Sequence, residues 1–410
     1  MTSPTGEPAI RFFGDGRAYW RLLVRGGVLV MVTLGIYRFW LTTDVRRFLW
    51  SNTEVAGDGL EYNGTPQELL IGFLTAIALL VPLYLVFFFA ALDLGFIGRM
   101  SGAIGFALLF VLGQYAIYRA RRYRLTRTVY RGLRFHQDGS AWGYALRAVL
   151  WWSLTLLTLG LAYPFQLASL ERYKMRHTFY GDLGGRFDGS GLSLFLRGLP
   201  MWLLVVAPLA VTIGAALETL DWDALAEALA SEDVQANIEV GNPGLTGVLL
   251  FGLIMLAAAA VLAALLFPAF RALTLRWWSS GLRLGPIEFR SQLRTAQVYR
   301  AYLRFFGYAV AFAIALAVLG FAVLLVLGAL ITDDQTGEIV ATVFLLVGYV
   351  IAALGLSTIY RATALLALWR LGMESLQLSG LSALDRVRAV GRPSSALGEG
   401  LADALNVGRI

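Results

Sequence analysis

Six long apolar stretches alternate with shorter polar segments along the chain. A helix of about 20 apolar residues spans a bilayer, because it satisfies its backbone polar groups internally. The pattern therefore predicts an α-helical polytopic membrane protein, with about six full transmembrane helices arranged as three hairpins. The predicted spans are residues 69–92, 101–118, 194–217, 245–268, 302–331 and 339–366.

Two further apolar segments, 22–41 and 145–168, do not fit this count of spans. Gly35 and Gly160 lie near or past their middles, and Pro164 follows the second glycine. If each segment crossed the membrane once, either an arginine-rich linker or an acidic loop would face the wrong side. We therefore predict two re-entrant or broken helices, with ordinary single spans as the alternative.

Charge is distributed unevenly between the polar segments. Residues 119–134 contain seven Arg and no acid, whereas residues 218–243 contain seven acids and no base. The positive-inside rule places basic linkers in the cytoplasm. We expect one membrane domain over 1–410 with internal repeats, cytoplasmic termini and an acidic extracytoplasmic loop at 218–243. The predicted cytoplasmic linker and strand elements are 10–68, 119–144, 169–193, 271–300 and 370–392.

One short pattern recurs in the linkers: an alternating apolar and polar run, a Gly or Asp-Gly turn, and the start of a helix. Alternation with a period of two predicts a half-buried strand, so we predict a small cytoplasmic β-layer with one strand per linker. Irregular loops are the alternative. The six copies start at 10, 59, 132, 184, 285 and 375.

The polar residues of these copies have expected local roles. Asp138-Gly139 and Asp188-Gly189 predict turns with positive φ. Ser140, Ser190 and Thr65 occupy helix N-cap positions.

Arginine and aromatic residues precede three of the predicted strands, and this combination suits phospholipid headgroups. Their proximity to membrane segments argues against nucleic acid and for anionic lipid. The candidate residues for lipid headgroups or for a shared hub are Arg47, Arg121, Arg122, Tyr123, Arg124, Arg172, Tyr173, Arg176, His177 and Asp188.

The composition excludes several kinds of chemistry. The chain has no Cys, two His and no phosphate-loop or hydrolase motif. We therefore expect no catalytic residue, cofactor or metal. A membrane enzyme that acts on lipid through His177, Asp188 and Arg172 is the alternative.

Four segments together resemble the YjgN-like family of bacterial inner-membrane proteins: "TLGIYRFW", "RRFLWSNT", "YNGTPQELL" and "ERYKMRHTFYGDLGGRFDGSGLSLF". The resemblance implies a multi-pass inner-membrane location and no established substrate, cofactor or catalytic residue. The chain departs from the family at Gln166 and Ala168, where the family tends to be more basic, and in its degenerate last repeat.

Two functional hypotheses follow from these patterns. The first is non-enzymatic handling or passage of a small or lipidic molecule, suggested by the repeated hairpins and broken helices. The second is a membrane-organising scaffold, whose arginine-rich cytoplasmic face binds anionic lipid, a protein partner or a second copy of the chain.

Overall fold

The computed structural model of the chain describes residues 10–92, 95–231, 241–330, 334–390, 397–405 and 407. The helices are α1 (Gly16–Val32), α2 (Arg38–Ser51), α3 (Pro66–Ala91), α4 (Phe96–Arg127), α5 (Ala141–Leu157), α6 (Tyr163–Arg176), α7 (Gly191–Thr219), α8 (Trp222–Ala230), α9 (Leu245–Gly281), α10 (Thr295–Leu330), α11 (Asp334–Tyr360), α12 (Leu366–Glu374) and α13 (Leu397–Ala404). A π-helical turn (Arg361–Leu365) joins α11 to α12, and a 3-10 helix covers Leu381–Arg386.

Six helices in the described part of the chain are long and apolar enough to cross a membrane. They are α3, α4, α7, α9, α10 and the continuous helix α11–α12. They contain the six predicted spans, except that α3 ends one residue before residue 92 and that residue 331 lies outside the described part of the chain. Their large apolar side chains remain exposed; Phe321 on α10, for example, is 65% exposed. Such apolar surface is typical of contact with lipid, and the chain is a mostly helical polytopic membrane protein.

Ten strands of the described residues form one antiparallel sheet, in which spatial order follows chain order. The strands are β1 (Ile10–Phe12), β2 (Thr53–Val55), β3 (Asp58–Tyr62), β4 (Thr128–Tyr130), β5 (Leu133–Gln137), β6 (Thr178–Tyr180), β7 (Leu183–Phe187), β8 (Leu282–Leu284), β9 (Ile287–Ser291) and β10 (Leu376–Ser379).

The prediction of one strand per linker was wrong for four linkers. The six predicted strands are present as β1, β3, β5, β7, β9 and β10. Each of the other four strands, β2, β4, β6 and β8, forms a hairpin with the predicted strand that follows it. These four also join the copies, because β3 pairs with β4 through Leu60↔Tyr130 and β5 pairs with β6 through Phe135↔Tyr180.

The four hairpin turns require positive φ. Ala56 and Gly57 have φ of 49° and 89°, and Arg131 and Gly132 have φ of 47° and 74°. Two consecutive positive φ angles match the twist of a two-residue hairpin. The turns at Gly181 and Gly285 begin with φ of 54° at each glycine. The predicted positive φ at Gly139 is confirmed at 82°.

The prediction of a positive-φ turn at Gly189 was wrong, because Gly189 is not among the positive-φ residues of the described chain. The glycine is needed there for space instead, since a Cβ at Gly189 would collide with the ring of Phe187. The N-caps predicted at Thr65 and Ser140 are confirmed by hydrogen bonds from the backbone N–H of Glu68 and Gly143.

Tyrosines fill one face of the sheet and link its hairpins. Tyr180 is 1% exposed, and its hydroxyl donates to the carbonyl of Tyr130 at 2.9 Å. The Tyr130 hydroxyl in turn donates to the carbonyl of Val55 at 2.9 Å. Ile287 and Leu384 complete this buried cluster. The cluster therefore joins residues that are far apart in sequence.

The breaks predicted at Gly35 and Gly160 are present, and the two broken segments are built alike. Helices α1 and α5 have 17 residues each, and α2 and α6 have 14 each. Gly35 and Gly160 have φ of 94° and 92°. At each break a threonine hydroxyl, of Thr33 or Thr158, bonds back to the first helix and accepts an N–H from the start of the second.

The apolar tips of these two helical hairpins are exposed: Leu34 is 94% exposed and Leu157 81% exposed. Both ends of each hairpin lead into strands of the sheet, α1–α2 between β1 and β2, and α5–α6 between β5 and β6. The same holds for α3–α4, α7–α9 and α10–α12. The sheet therefore receives both ends of every helical segment between β1 and β10.

The chain divides into two compact units, residues 1–191 with 275–410, and residues 192–274. The first unit contains the sheet. In the second, the side chain of buried Asn242 bonds to both backbone groups of Asp221, accepting at 2.8 Å and donating at 3.1 Å. The predicted acidic loop 218–243 falls in this unit, and its residues 232–240 lie outside the described part of the chain.

Candidate anion-binding site

Arginines at helix ends hold the turns that begin the next helices. In four copies a guanidinium donates to a backbone carbonyl 17 residues further along the chain, and in a fifth Arg370 donates to the carbonyl of Gly14 at 2.6 Å. Charge-assisted bonds of this kind are stronger than neutral ones. The four pairs are Arg47–Gly64, Arg122–Gly139, Arg172–Gly189 and Arg276–Leu293.

Other predicted candidates lie between neighbouring repeats. Arg121 donates to the Gln137 amide oxygen and to the Thr178 hydroxyl, both at 2.8 Å. The Tyr123 hydroxyl donates at 2.7 Å to Glu68. The Arg124 guanidinium lies 3.7 Å from Glu399 on α13. Arg121 thus links α4 to β5 and β6, whereas Tyr123 and Arg124 link α4 to α3 and α13.

Three of the remaining candidates lie at the end of α6, and the fourth, Asp188, follows β7. Tyr173 donates to the carbonyl of Ser140 at 2.8 Å, and its ring lies 4.6 Å from that of His177. Arg176 is exposed at the end of α6. The carboxylate of Asp188 pairs with the guanidinium of Arg186 at 2.8 Å. The ten predicted residues line none of the three cavities described for the chain, and their contact with lipid headgroups stays a prediction.

Acid is expected to destabilise the fold through its two histidines. Burial lowers the pKa of His177 and of His136; Asp138 opposes the shift and neighbouring arginines add to it at His177. A lowered histidine pKa means that the fold favours the neutral ring. This contribution is present above the unfolded pKa, about 6.5, and is lost as pH falls below it. Melting temperature should therefore fall between pH 7 and 5.

Replacing both histidines separates this effect from that of the carboxylates. A His136→Gln, His177→Gln variant should lose less melting temperature between pH 7 and 5 than the parent chain. An equal or steeper loss in the variant would contradict the assignment.

A cavity of about 850 Å³ lies among α1, α10, the π-helical turn and α12. Five arginines line it, and none of its lining residues is acidic. We call it the arginine cavity. Arg370 is held by Gly14, and its guanidinium carbon lies 5.3 Å from the centroid of the Phe12 ring. The five arginines are Arg17, Arg21, Arg300, Arg304 and Arg370.

Four of these arginines come from two pentapeptides that differ only at their fourth residue. "RAYWR" covers 17–21 on α1 and "RAYLR" covers 300–304 on α10. In each, the arginines are four residues apart and share one helix face, where like charges destabilise a helix by about 0.2–0.5 kcal/mol. Two such pairs concentrate positive charge in one cavity, and an anion would offset their repulsion.

The same cavity has an apolar side. Trp20 and Tyr308 line it and are 42% and 58% exposed. Just beyond the arginine pairs, Val28 on α1 and Phe306 on α10 are 57% and 65% exposed. The arginine cavity therefore lies where both helices change from cationic to apolar surface. Tryptophan and tyrosine are enriched where membrane helices pass from the headgroups into the hydrocarbon core.

A π-helical turn forms one wall. Ala362 and Thr363 face the arginine cavity, whereas Arg361 and Leu365 line a second cavity of about 360 Å³. Single π-helical turns inside α-helices occur frequently at functional sites. Within the described residues, no group of three or more His, Asp or Glu is placed to hold a metal ion.

Sequence comparison relates the chain to known bacterial proteins. A family described as bacterial protein of unknown function (DUF898) matches residues 7–404. The chain belongs to the DUF898 family. The YjgN-like resemblance is confirmed by inner membrane protein YjgN of Escherichia coli K12, 28% identical over 143 residues, which are 34% of this chain and 32% of the relative. The protein of the same name from strain O157:H7 matches equally. No solved structure matches the chain.

The matched stretch thus covers about a third of these curated relatives, whereas the family match covers most of the chain. The arginine cavity of this DUF898 member was missed by sequence reasoning. The signal that could have found it is the recurring pentapeptide, since each copy places two arginines four residues apart on one face of a helix. Their convergence on Arg370 needed the structure.

Proposed function

We propose that this protein is an inner-membrane protein that handles anionic phospholipid, whose headgroup it binds in the arginine cavity. The observation that carries the proposal is a cavity lined by five arginines and no acid, at the level where two helices become apolar. A phosphodiester accepts bidentate bonds from guanidinium groups. Trp20 and Tyr308 then suit the glycerol and upper acyl region of the lipid.

The proposal places the sheet and the arginine cavity on the cytoplasmic side. Basic linkers favour that side, and the names of the Escherichia coli relatives state an inner-membrane location. Helices α1 and α5 have 17 residues, about 26 Å of helix, which is short for a hydrocarbon core of about 30 Å. In this arrangement α1–α2 and α5–α6 dip into the membrane and return.

Removing one arginine pair is expected to weaken anionic lipid binding strongly. Hydrogen bonds to charged groups contribute about 1.5–3 kcal/mol each. An Arg300→Gln, Arg304→Gln variant should therefore bind phosphatidylglycerol about 100-fold more weakly, since about 3 kcal/mol corresponds to that factor. Binding of short-chain lipid to the detergent-purified protein, followed by thermal shift, measures the change, with phosphatidylcholine as the zwitterionic reference.

A matched variant controls for the loss of net charge. Arg134 and Arg290 are exposed strand residues outside the arginine cavity, and Arg134→Gln, Arg290→Gln removes the same two charges. Its affinity for phosphatidylglycerol should equal that of the parent. Equal weakening by the two variants would mean diffuse attraction rather than a site. Binding of glycerol 3-phosphate as tight as that of the lipid would mean a soluble ligand.

A further inference from the structure

Helix α13 packs into the membrane-proximal helices by backbone contact. Gly400 lies so close to Gly72 on α3 that a Cβ would overlap the Gly72 backbone. Ala402 is 2% exposed and packs against Ala116 and Ala120 on α4. Small residues thus allow a short helix from the end of the chain to lie among helices from its first third.

This helix carries two carboxylates to arginines of α2. Glu399 accepts from buried Arg46, and Asp403 Oδ2 lies 2.8 Å from Arg38. The second oxygen of Glu399 is buried and accepts no hydrogen bond from the described residues, while Arg124 remains 3.7 Å from it. One of the two carboxylate oxygens of Glu399 therefore lies among arginines without a hydrogen bond from the described residues.

A cavity of about 360 Å³ lies beside these pairs, among α1, α2, α11, the π-helical turn and α13. Its lining contains three arginines against the two carboxylates of α13, which leaves an excess of one positive charge. We call it the carboxylate cavity. Its polar lining residues are Arg38, Thr42, Arg46, Ser357, Thr358, Arg361, Glu399 and Asp403.

We infer that the carboxylate cavity is a second anion site. Glu399 and Asp403 occupy the position that a small soluble anion takes when it binds. Arginines and hydroxyl groups together are the donors that recognise phosphate or carboxylate. The volume suits a small metabolite rather than a phospholipid with its chains. The anion competes with α13 for Arg38 and Arg46, and its binding displaces the helix. This inference is independent of the proposed lipid site, because the two cavities have different arginines.

The chain has no cysteine, so that a single introduced thiol reports on the position of α13. Ala402→Cys places that thiol at a buried position of the helix. Inorganic phosphate at millimolar concentration should accelerate its reaction with a maleimide. A Glu399→Gln, Asp403→Asn variant should bind phosphate about tenfold more tightly than the parent, because the internal competitor is removed. The Arg300→Gln, Arg304→Gln variant should retain the phosphate response of the parent.

If α13 has only a structural role, the same experiments should give the opposite results. The Ala402→Cys thiol would then stay protected at every phosphate concentration. The Gln/Asn variant would be less stable than the parent and phosphate would not restore its melting temperature. These two results together would overturn the inference. Adding Arg46→Gln to the Glu399→Gln, Asp403→Asn variant should abolish the tighter phosphate binding. This loss would locate the bound phosphate in the carboxylate cavity.

Discussion

Replacing Arg46 by methionine is expected to destabilise the protein by about 3–5 kcal/mol, the cost of leaving one partner of a buried ion pair alone. Arg46 is 6% exposed, and its guanidinium donates both to Glu399 and, at 3.0 Å, to the Tyr62 hydroxyl. Its loss leaves the Glu399 carboxylate buried with only the more distant Arg124. Unfolding in detergent by heat or denaturant measures the change.

The neighbouring residue is a matched control. Arg47 is exposed and donates to the carbonyl of Gly64 at 3.0 Å, so that Arg47→Met should cost only about 1 kcal/mol. Adding Glu399→Gln to Arg46→Met should recover part of the lost stability, because the unpaired buried charge disappears. Equal costs at 46 and 47, or no recovery, would show that the pair does not stabilise the fold.

Truncating Tyr180 to alanine is expected to cost about 3–5 kcal/mol, as for other buried aromatic side chains. The ring is 1% exposed in the core of the sheet, and its hydroxyl joins the second and third of the four hairpins through Tyr130. Tyr180→Phe keeps the ring and loses one hydrogen bond, which should cost about 1–2 kcal/mol. The difference separates packing from hydrogen bonding.

Tyr349 on α11 controls for the loss of an aromatic ring as such. It is 74% exposed on a helix long enough to cross the membrane. Tyr349→Ala should leave the unfolding transition of the detergent-purified protein nearly unchanged. If Tyr180→Ala were as mild as Tyr349→Ala, the sheet would not be a stabilising hub.

The apolar spans and six of the strands could be predicted because their patterns are long or repeated. A run of 20 apolar residues leaves little alternative to a membrane helix. A strand of five residues such as Leu133–Gln137 shows its alternation, and repetition in six linkers strengthened that weak signal. The breaks at Gly35 and Gly160 were predictable for the same reason, since glycine followed a "TL" pair in both segments.

The four missed strands have three residues each, too few to show a period of two. β1 is equally short, but it could be predicted because a turn and the start of a helix follow it, as in the other copies. Two of the turns that follow the missed strands also lack the usual sequence signal of a hairpin. Ala56-Gly57 and Arg131-Gly132 place a residue other than Asn, Asp or Gly at the first positive-φ position, where the usual hairpin signals expect one of those three. Pairing energy from neighbouring strands outweighs the strain at Ala56 and Arg131, and a single sequence does not reveal that pairing.

The carboxylate cavity could not be predicted from the sequence for a different reason. Arg46 and Glu399 are 353 positions apart. The tail resembles a polar linker, and neither Gly400 nor Ala402 signals its buried position. The helix-end arginines were predicted as residues for lipid headgroups or for a shared hub. The sequence does not separate the two, because an arginine beside an aromatic residue has the same pattern whether it contacts a phosphate or, as Arg172 does, a backbone carbonyl.

The account rests on one claim about membrane orientation, that α1–α2 and α5–α6 return to the side from which they start. Single cysteines test it directly in this cysteine-free chain, at exposed positions that flank the two hairpins: Phe13 and Ser51, and Arg134 and Gly184. A Gln335→Cys variant, at the start of α11, is the opposite-side control. With a membrane-impermeant maleimide, the four flanking thiols should react only in inside-out vesicles, and the Gln335→Cys thiol only in intact spheroplasts. Reaction of the Ser51→Cys or Gly184→Cys thiol in intact spheroplasts would contradict the account.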